Sequence, residues 1–235
     1  MRLLLRHRSR YEYERPAALG PHEVRLRPAS HAKAKVETYS LQVDPPCKMH
    51  WQQDIAGNHI ARLTFLAGER VPLLQLVVEI AVDIRPVNPF DFFVDPRCKT
   101  LPFTYSDETL RECAPYLDRA DPAYRGGPLF EAFLHDLPQA GPTVDLLVAL
   151  NGAVHERLRY VIREEAGIWE PERSLREGRG SCRDSAVLLI AALRSYGLAA
   201  RFVSGYLVQL TDEGMIPNEP RGVERDVMDL HAWAE

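Results

Sequence analysis

The sequence predicts an α+β fold: an N-terminal antiparallel β-sandwich over residues 1–85, a proline-rich linker over 86–105, and a core over 106–235 in which one helix packs against an antiparallel sheet. Three observations predict it. Apolar and polar residues alternate with a period of two through the first third of the chain. Prolines at 86, 89, 96 and 102 then interrupt any ladder, because proline has no N–H to donate. Beyond them, apolar residues recur at three- and four-residue steps, the signature of helices.

The elements follow in order. Leu3, Leu5, His7, Ser9, Tyr11 and Tyr13 share one face of a first strand, with Arg and Glu dominating the other. Val24 and Leu26 alternate with Glu23, Arg25 and Arg27, and Tyr39, Leu41 and Val43 continue the pattern until Pro45-Pro46. Asp54 to Asn58 supplies turn chemistry. Ala61, Leu63 and Phe65 form a further strand, and Leu74, Leu76, Val78, Ile80, Val82 and Ile84 the clearest one. Short strands separated by turns suggest a sandwich. In the linker, Phe90, Phe92 and Phe93 imply that it is packed. The core opens with a short helix over 129–137 and an amphipathic helix over roughly 143–161, carrying Leu147, Leu150, Val154, Leu158 and Val161.

Bulk properties exclude several function classes. A hydrophobic fraction of 46% and a charged fraction of 26% are those of a globular chain with a buried core. A net charge of −4 does not call for nucleic acid or an anionic membrane. The N-terminal apolar run is three residues, Leu3 to Leu5, too short for a signal-peptide core, and no stretch approaches the roughly 18 apolar residues of a membrane span. A cytoplasmic protein with no membrane partner is therefore expected. Without a secretory signal, Cys47, Cys98, Cys113 and Cys182 are expected to be free thiols.

Residues 178–197 carry the chemistry. Ala186, Leu189, Ile190 and Leu193 define a buried stripe, so a helix should run from about 182 to 196. Ser181 is a suitable N-cap, Asp184 the acidic partner of a capping box, and Gly197 a C-terminal stop with Arg194 near the negative end. Cys182 then falls in the first turn. A thiolate there is stabilised by the helix N-terminus, whose unpaired N–H groups can also donate to an oxyanion. Gly178 and Gly180 let backbone approach a substrate closely.

A nucleophilic thiol needs a base. Residues 201–210 read as a strand, and a polar loop with Gly214, Pro217, Pro220 and Gly222 follows. A second strand over 229–235 puts His231 and Trp233 on the same face. A histidine on the strand beside a nucleophilic helix is the papain-type arrangement, in which thiol and imidazole form an ion pair that attacks a carbonyl.

The sequence resembles the bacterial transglutaminase-like superfamily, a group that includes cysteine proteases. The resemblance lies in Gly180-Ser-Cys-Arg-Asp184, in residues 193–206 and in His231-Ala-Trp-Ala-Glu235. His7, Tyr11 and Tyr13, Leu26-Arg-Pro28 and Asp54 to Asn58 resemble the β-domain that precedes that core in many bacterial members. It implies a papain-like core, Cys182 as nucleophile, His231 as base and no cofactor. The family's third catalytic residue, an Asp on the next strand, is expected beyond Glu235, so that the core is incomplete here. Asp226 and Asp229 precede His231 and do not match it. The implied activity is acyl transfer or hydrolysis on protein or peptide amides through a thioester. A non-catalytic protein-binding scaffold is the alternative, and a thiol redox sensor with Cys47, Cys98 or Cys113 as resolving partner is a further one.

Other constellations are weaker. Cys47, His50 and His59 have a loosely metal-like spacing but lack a second ligand pair, so no metal is expected. His155-Glu156 begins like a zincin helix, yet position 159 is Arg. Trp169 is expected to be a packed aromatic rather than a cleft wall. Arg2, Arg6, Arg8 and Arg10 read as the solvated face of a strand.

Overall fold

A computed structural model describes residues 1–85, 88, 91–211 and 223–235. The expected polar loop around Gly214, Pro217, Pro220 and Gly222 lies outside the described residues, as do Pro86, Pro89 and Phe90 of the expected linker. The chain divides into two compact units, residues 1–91 and 92–235.

The first unit is built from six strands: β1 (Arg2–Ala18), β2 (His22–Arg27), β3 (Lys35–Asp44), β4 (Lys48–Gln53), β5 (His59–Thr64) and β6 (Arg70–Asp83). They form two antiparallel three-stranded sheets, ordered β1-β6-β3 and β2-β5-β4. Leu41, Val43 and Leu76 from one sheet pack with Val24, Met49, Ala61 and Leu63 from the other, the inner layer of a sandwich. Strand β6 is central, which is why Val77 and Ala81 are buried as well as Leu74, Leu76, Val78, Ile80 and Val82. Strand β4 was not expected. It holds only Met49 and Trp51 as alternating apolar residues, too little pattern to stand out after Pro45-Pro46. His50 and His59 lie on the neighbouring strands β4 and β5, and no group of three or more metal-binding side chains gathers among the described residues.

The second unit carries β7 (Thr100–Leu101), α1 (Asp107–Leu117), α2 (Pro128–His135), β8 (Gly141–Pro142), α3 (Thr143–Arg157), β9 (Arg159–Tyr160), α4 (Pro171–Glu177), β10 (Arg179–Gly180), α5 (Cys182–Ser195), β11 (Phe202–Gln209) and β12 (Val227–Ala234). Its core joins Phe130 and Phe133 of α2, Leu146, Leu150 and Val154 of α3, and Leu188, Ala191 and Ala192 of α5. Leu101, from the proline-spaced stretch, is part of that core, but Phe92 and Phe93, expected to pack the linker, are exposed. Helix α5 buries Ala186, Val187, Leu188, Ile190, Ala191, Ala192 and Arg194, whereas Leu189 and Leu193 of the expected stripe are only partly buried, because the helix turns a neighbouring face inward. Helix α3 stops at Arg157, short of the expected end near 161, because residues 159–161 bond instead to 178–180: Arg159 N–H to Gly178 O at 3.0 Å and Val161 N–H to Gly180 O at 2.9 Å. Helix α1 was missed because none of its residues is buried, leaving little apolar periodicity to read. Helix α4 was missed for its brevity, although Pro171 at its start and Gly178 at φ +60° just past its end are good boundary signals.

No helix among the described residues is long and apolar enough to cross a membrane.

Candidate active site

Helix α5 begins at Cys182, with Ser181 as its N-cap. Its amide N–H groups at Cys182 and Arg183 have no backbone acceptor among the described residues, as the first turn of a helix requires. The end of the helix is fixed as firmly. Gly197 takes φ +74°, its N–H reaches Arg194 O at 3.0 Å, and Leu198 N–H reaches Leu193 O at 3.0 Å, a Schellman closure.

Asp184, one turn inside α5, is fully buried and holds the region together. One carboxylate oxygen accepts from the Ser181 backbone N–H at 2.8 Å and the Ser181 hydroxyl at 2.7 Å. The other accepts from Trp169 N–H at 2.8 Å. The Arg163 guanidinium closes a two-point pair at 2.8 and 3.0 Å. Burial alone would push this carboxyl up, but Arg163 and the N–H donors outweigh it and hold it below the usual carboxylate range. So the negative charge two residues from Cys182 is matched by a guanidinium. The Arg163 and Arg173 guanidinium groups lie 4.8 and 4.3 Å from the centroid of the Trp169 ring, and Trp169 is 7% exposed. Trp169 is thus a packed residue that braces Arg163.

Helix α5 packs against β12, the strand that carries His231. Strands β11 and β12 are antiparallel, with Gly205 opposite His231 and Val203 opposite Trp233. The imidazole lies stacked beside the Trp233 indole, centroids 6.5 Å apart and planes 24° apart. A Cβ on Gly205 would sit 2.8 Å from Trp233 Cη2, so the indole occupies room that only glycine leaves. Among the described residues no hydrogen bond links the Cys182 thiol to His231; the elements that carry them, α5 and β12, pack against each other.

Tyr160 lies beside the strand that leads into α5 and was not singled out from sequence. It pairs with Gly180, two residues before Cys182, in the parallel β9–β10 contact. The residue is 60% exposed, yet its phenol is pushed up, first by desolvation and then by the negative charges of Cys182 and Asp229. Asp229 lies two residues before His231 and so points to the same side of β12. No local pattern marks Tyr160; its proximity to Cys182 arises only when β9 and β10 meet.

The four cysteines are free and none is fully exposed. Cys47 packs beside the sandwich core, and burial pushes its thiol up. His155, of the zincin-like dipeptide, is exposed in the last turn of α3.

Comparison with known proteins matches the two units to two family models. Residues 3–84 match the bacterial transglutaminase-like N-terminal region, and residues 133–235 match the transglutaminase-like superfamily. Uncharacterized proteins of Mycobacterium tuberculosis and Mycobacterium bovis are 28% identical over 238 residues, covering 97% of this chain and 71% of their own length. The fold is similar to the crystal structure of a "putative cysteine protease" from Cytophaga hutchinsonii, with a TM-score of 0.59 at 16% identity, covering 99% of this chain and 74% of that one.

Proposed function

The chain belongs to the bacterial transglutaminase-like superfamily, and on that premise we propose that it is a thiol enzyme acting on protein or peptide amides, with Cys182 as nucleophile and His231 as base. The carrying observation is that Cys182 opens the helix that packs on the strand bearing His231.

In this reading the imidazole takes the thiol proton and Sγ attacks the amide carbonyl carbon. The developing oxyanion receives the free N–H groups at the start of α5. Collapse of the tetrahedral species breaks the C–N bond, and the imidazolium returns its proton to the departing nitrogen. The thioester is then resolved by water, giving hydrolysis or deamidation, or by a primary amine, giving transglutamination. Asp184 supports the arrangement from behind. It ties Ser181, Trp169 and Arg163 to the first turn while its own charge is paired.

Alkylation by iodoacetamide tests the nucleophile. A fast phase is expected that disappears in Cys182→Ala and slows in His231→Ala, alongside release of ammonia or amine from a glutamine-containing peptide. Equal alkylation of wild type and Cys182→Ala, with no product from any amide substrate, would leave only the binding-scaffold reading.

A further inference from the structure

The first unit bears an open groove of about 520 Å³ whose lining includes the exposed Arg27, Ser30, Lys33 and Lys35 and the half-buried Tyr39 and His59. That volume falls in the range of small-molecule sites. The lining is rich in donors and poor in acceptors. Glu37 is its one carboxylate, and Arg2 already holds it at 2.7 Å. Arg27, Lys33 and Lys35 have no carboxylate partner among the described residues. The Ser30 hydroxyl lies 3.3 Å from His59 Nε2.

Two features separate this lining from an ordinary solvated basic surface. The Arg27 guanidinium is positioned by aromatic rings rather than by an acid: it lies 5.5 Å from the centroids of both Tyr39 and Trp51, which meet edge-to-face at 5.7 Å. A cation placed in this way keeps its donors available. The second feature is the Tyr39 hydroxyl, which is buried with no hydrogen-bond partner among the described residues. Burial pushes the phenol up to about 12 against the opposing charge of Arg27, so at neutral pH the group is a donor without an acceptor. Buried polar groups are nearly always paired, and an unpaired one asks for an explanation, of which a bound ion is one.

We propose that this groove binds an oxyanion, the phosphate or carboxylate group of a small ligand, with Arg27 as its principal cation and the Tyr39 hydroxyl as its buried donor. Guanidinium matches such groups through paired N–H bonds, and the flanking lysines add charge without geometry. Its lining residues all belong to the first unit, and the proposal does not rest on Cys182 or His231.

The test titrates the full chain with inorganic phosphate and, separately, with succinate, at an ionic strength held constant with chloride. Calorimetry and the midpoint of thermal unfolding are read together. Saturable millimolar binding of at least one anion is expected, the two arms telling phosphate from carboxylate. Arg27→Gln should weaken it tenfold or more. Tyr39→Phe should fold with an unchanged or higher unliganded midpoint and still lose affinity several-fold. Arg62→Gln, an exposed cation paired with Glu23 elsewhere in the same unit, should bind as wild type. No saturation by either anion beyond the chloride control overturns the proposal, as does wild-type affinity in both Arg27→Gln and Tyr39→Phe.

Discussion

Trp233 lies across Gly205, with its Cη2 where a Cβ on residue 205 would come within 2.8 Å, and Gly205 is the β11 partner of His231. The missing side chain on one strand thereby sets where the indole rests on the other. The indole in turn flanks the imidazole.

Gly205→Ala should therefore act on geometry more than on stability. Trp233 is 40% exposed and can swing outward. Glycine in a strand is intrinsically unfavourable, so the net stability change should stay within about 1 kcal/mol. The indole fluorescence should shift, and Cys182-dependent turnover should fall at least tenfold. A fully active Gly205→Ala enzyme with unchanged fluorescence would show that the contact does not position His231.

Asp184→Asn should be severely destabilising, because it strands the Arg163 guanidinium, whose side chain is 7% exposed, beside a neutral amide. Breaking a buried pair in this way costs about 3–5 kcal/mol. Urea unfolding at neutral pH measures it, and a loss below about 1 kcal/mol would count against the network as the anchor of the α5 start.

The same carboxylate predicts acid sensitivity. Its folded pKa is held below the unfolded value, near 3.9 for an aspartate, so its contribution is complete above that value. The contribution is then lost as pH falls through the lower folded value. Stability profiles of wild type and Asp184→Asn should converge as the pH drops below about 4. Parallel profiles throughout that range would exclude the assignment.

Tyr39 predicts the opposite limb. Its folded pKa of about 12 lies above the ordinary phenol value, so the unfolded chain ionises first and stability falls as pH rises from roughly 10 toward 12. A loss on the order of 2 kcal/mol follows from a shift of that size. Tyr39→Phe should flatten that limb; an unchanged alkaline profile would mean another group is responsible.

Arg194 should prove a structural residue rather than a surface cation. Its guanidinium donates to Ala200 O at 2.8 and 3.1 Å and to Asp118 O at 2.7 Å, and lies 4.1 Å from the Tyr124 ring. Arg194→Ala leaves the buried Ala200 carbonyl and the part-buried Asp118 carbonyl without their donor, a cost on the order of 2 kcal/mol. Thermal unfolding of that variant would show it, and a midpoint equal to wild type would refute it.

Much of this architecture was legible in local pattern. The alternation of β1, β2, β3, β5 and β6 announced a two-sheet unit, and Ser181, Asp184 and Gly197 bracketed α5 to within a residue. Where pattern was short or unburied, as in β4, α1 and α4, reading failed, because periodicity reports burial and these elements bury little or are brief. Arg194 looked like a cation complementing the end of a helix, and only the return of the chain at 118 and 200 made it a buried donor.

The sequence by itself determined which segments become strands and helices, and that a thiol opens one helix while an imidazole stands on a later strand, since those facts depend on neighbours within a few residues. The tertiary structure decided the pairings between distant residues. Asp184 is neutralised by Arg163 from 21 residues away, Tyr160 reaches the Cys182 region through the β9–β10 contact, Trp233 covers Gly205, and Arg27 rests between Tyr39 and Trp51. Each of those depends on where the chain returns in space, which is set by packing summed over a whole unit and is not encoded in any one stretch.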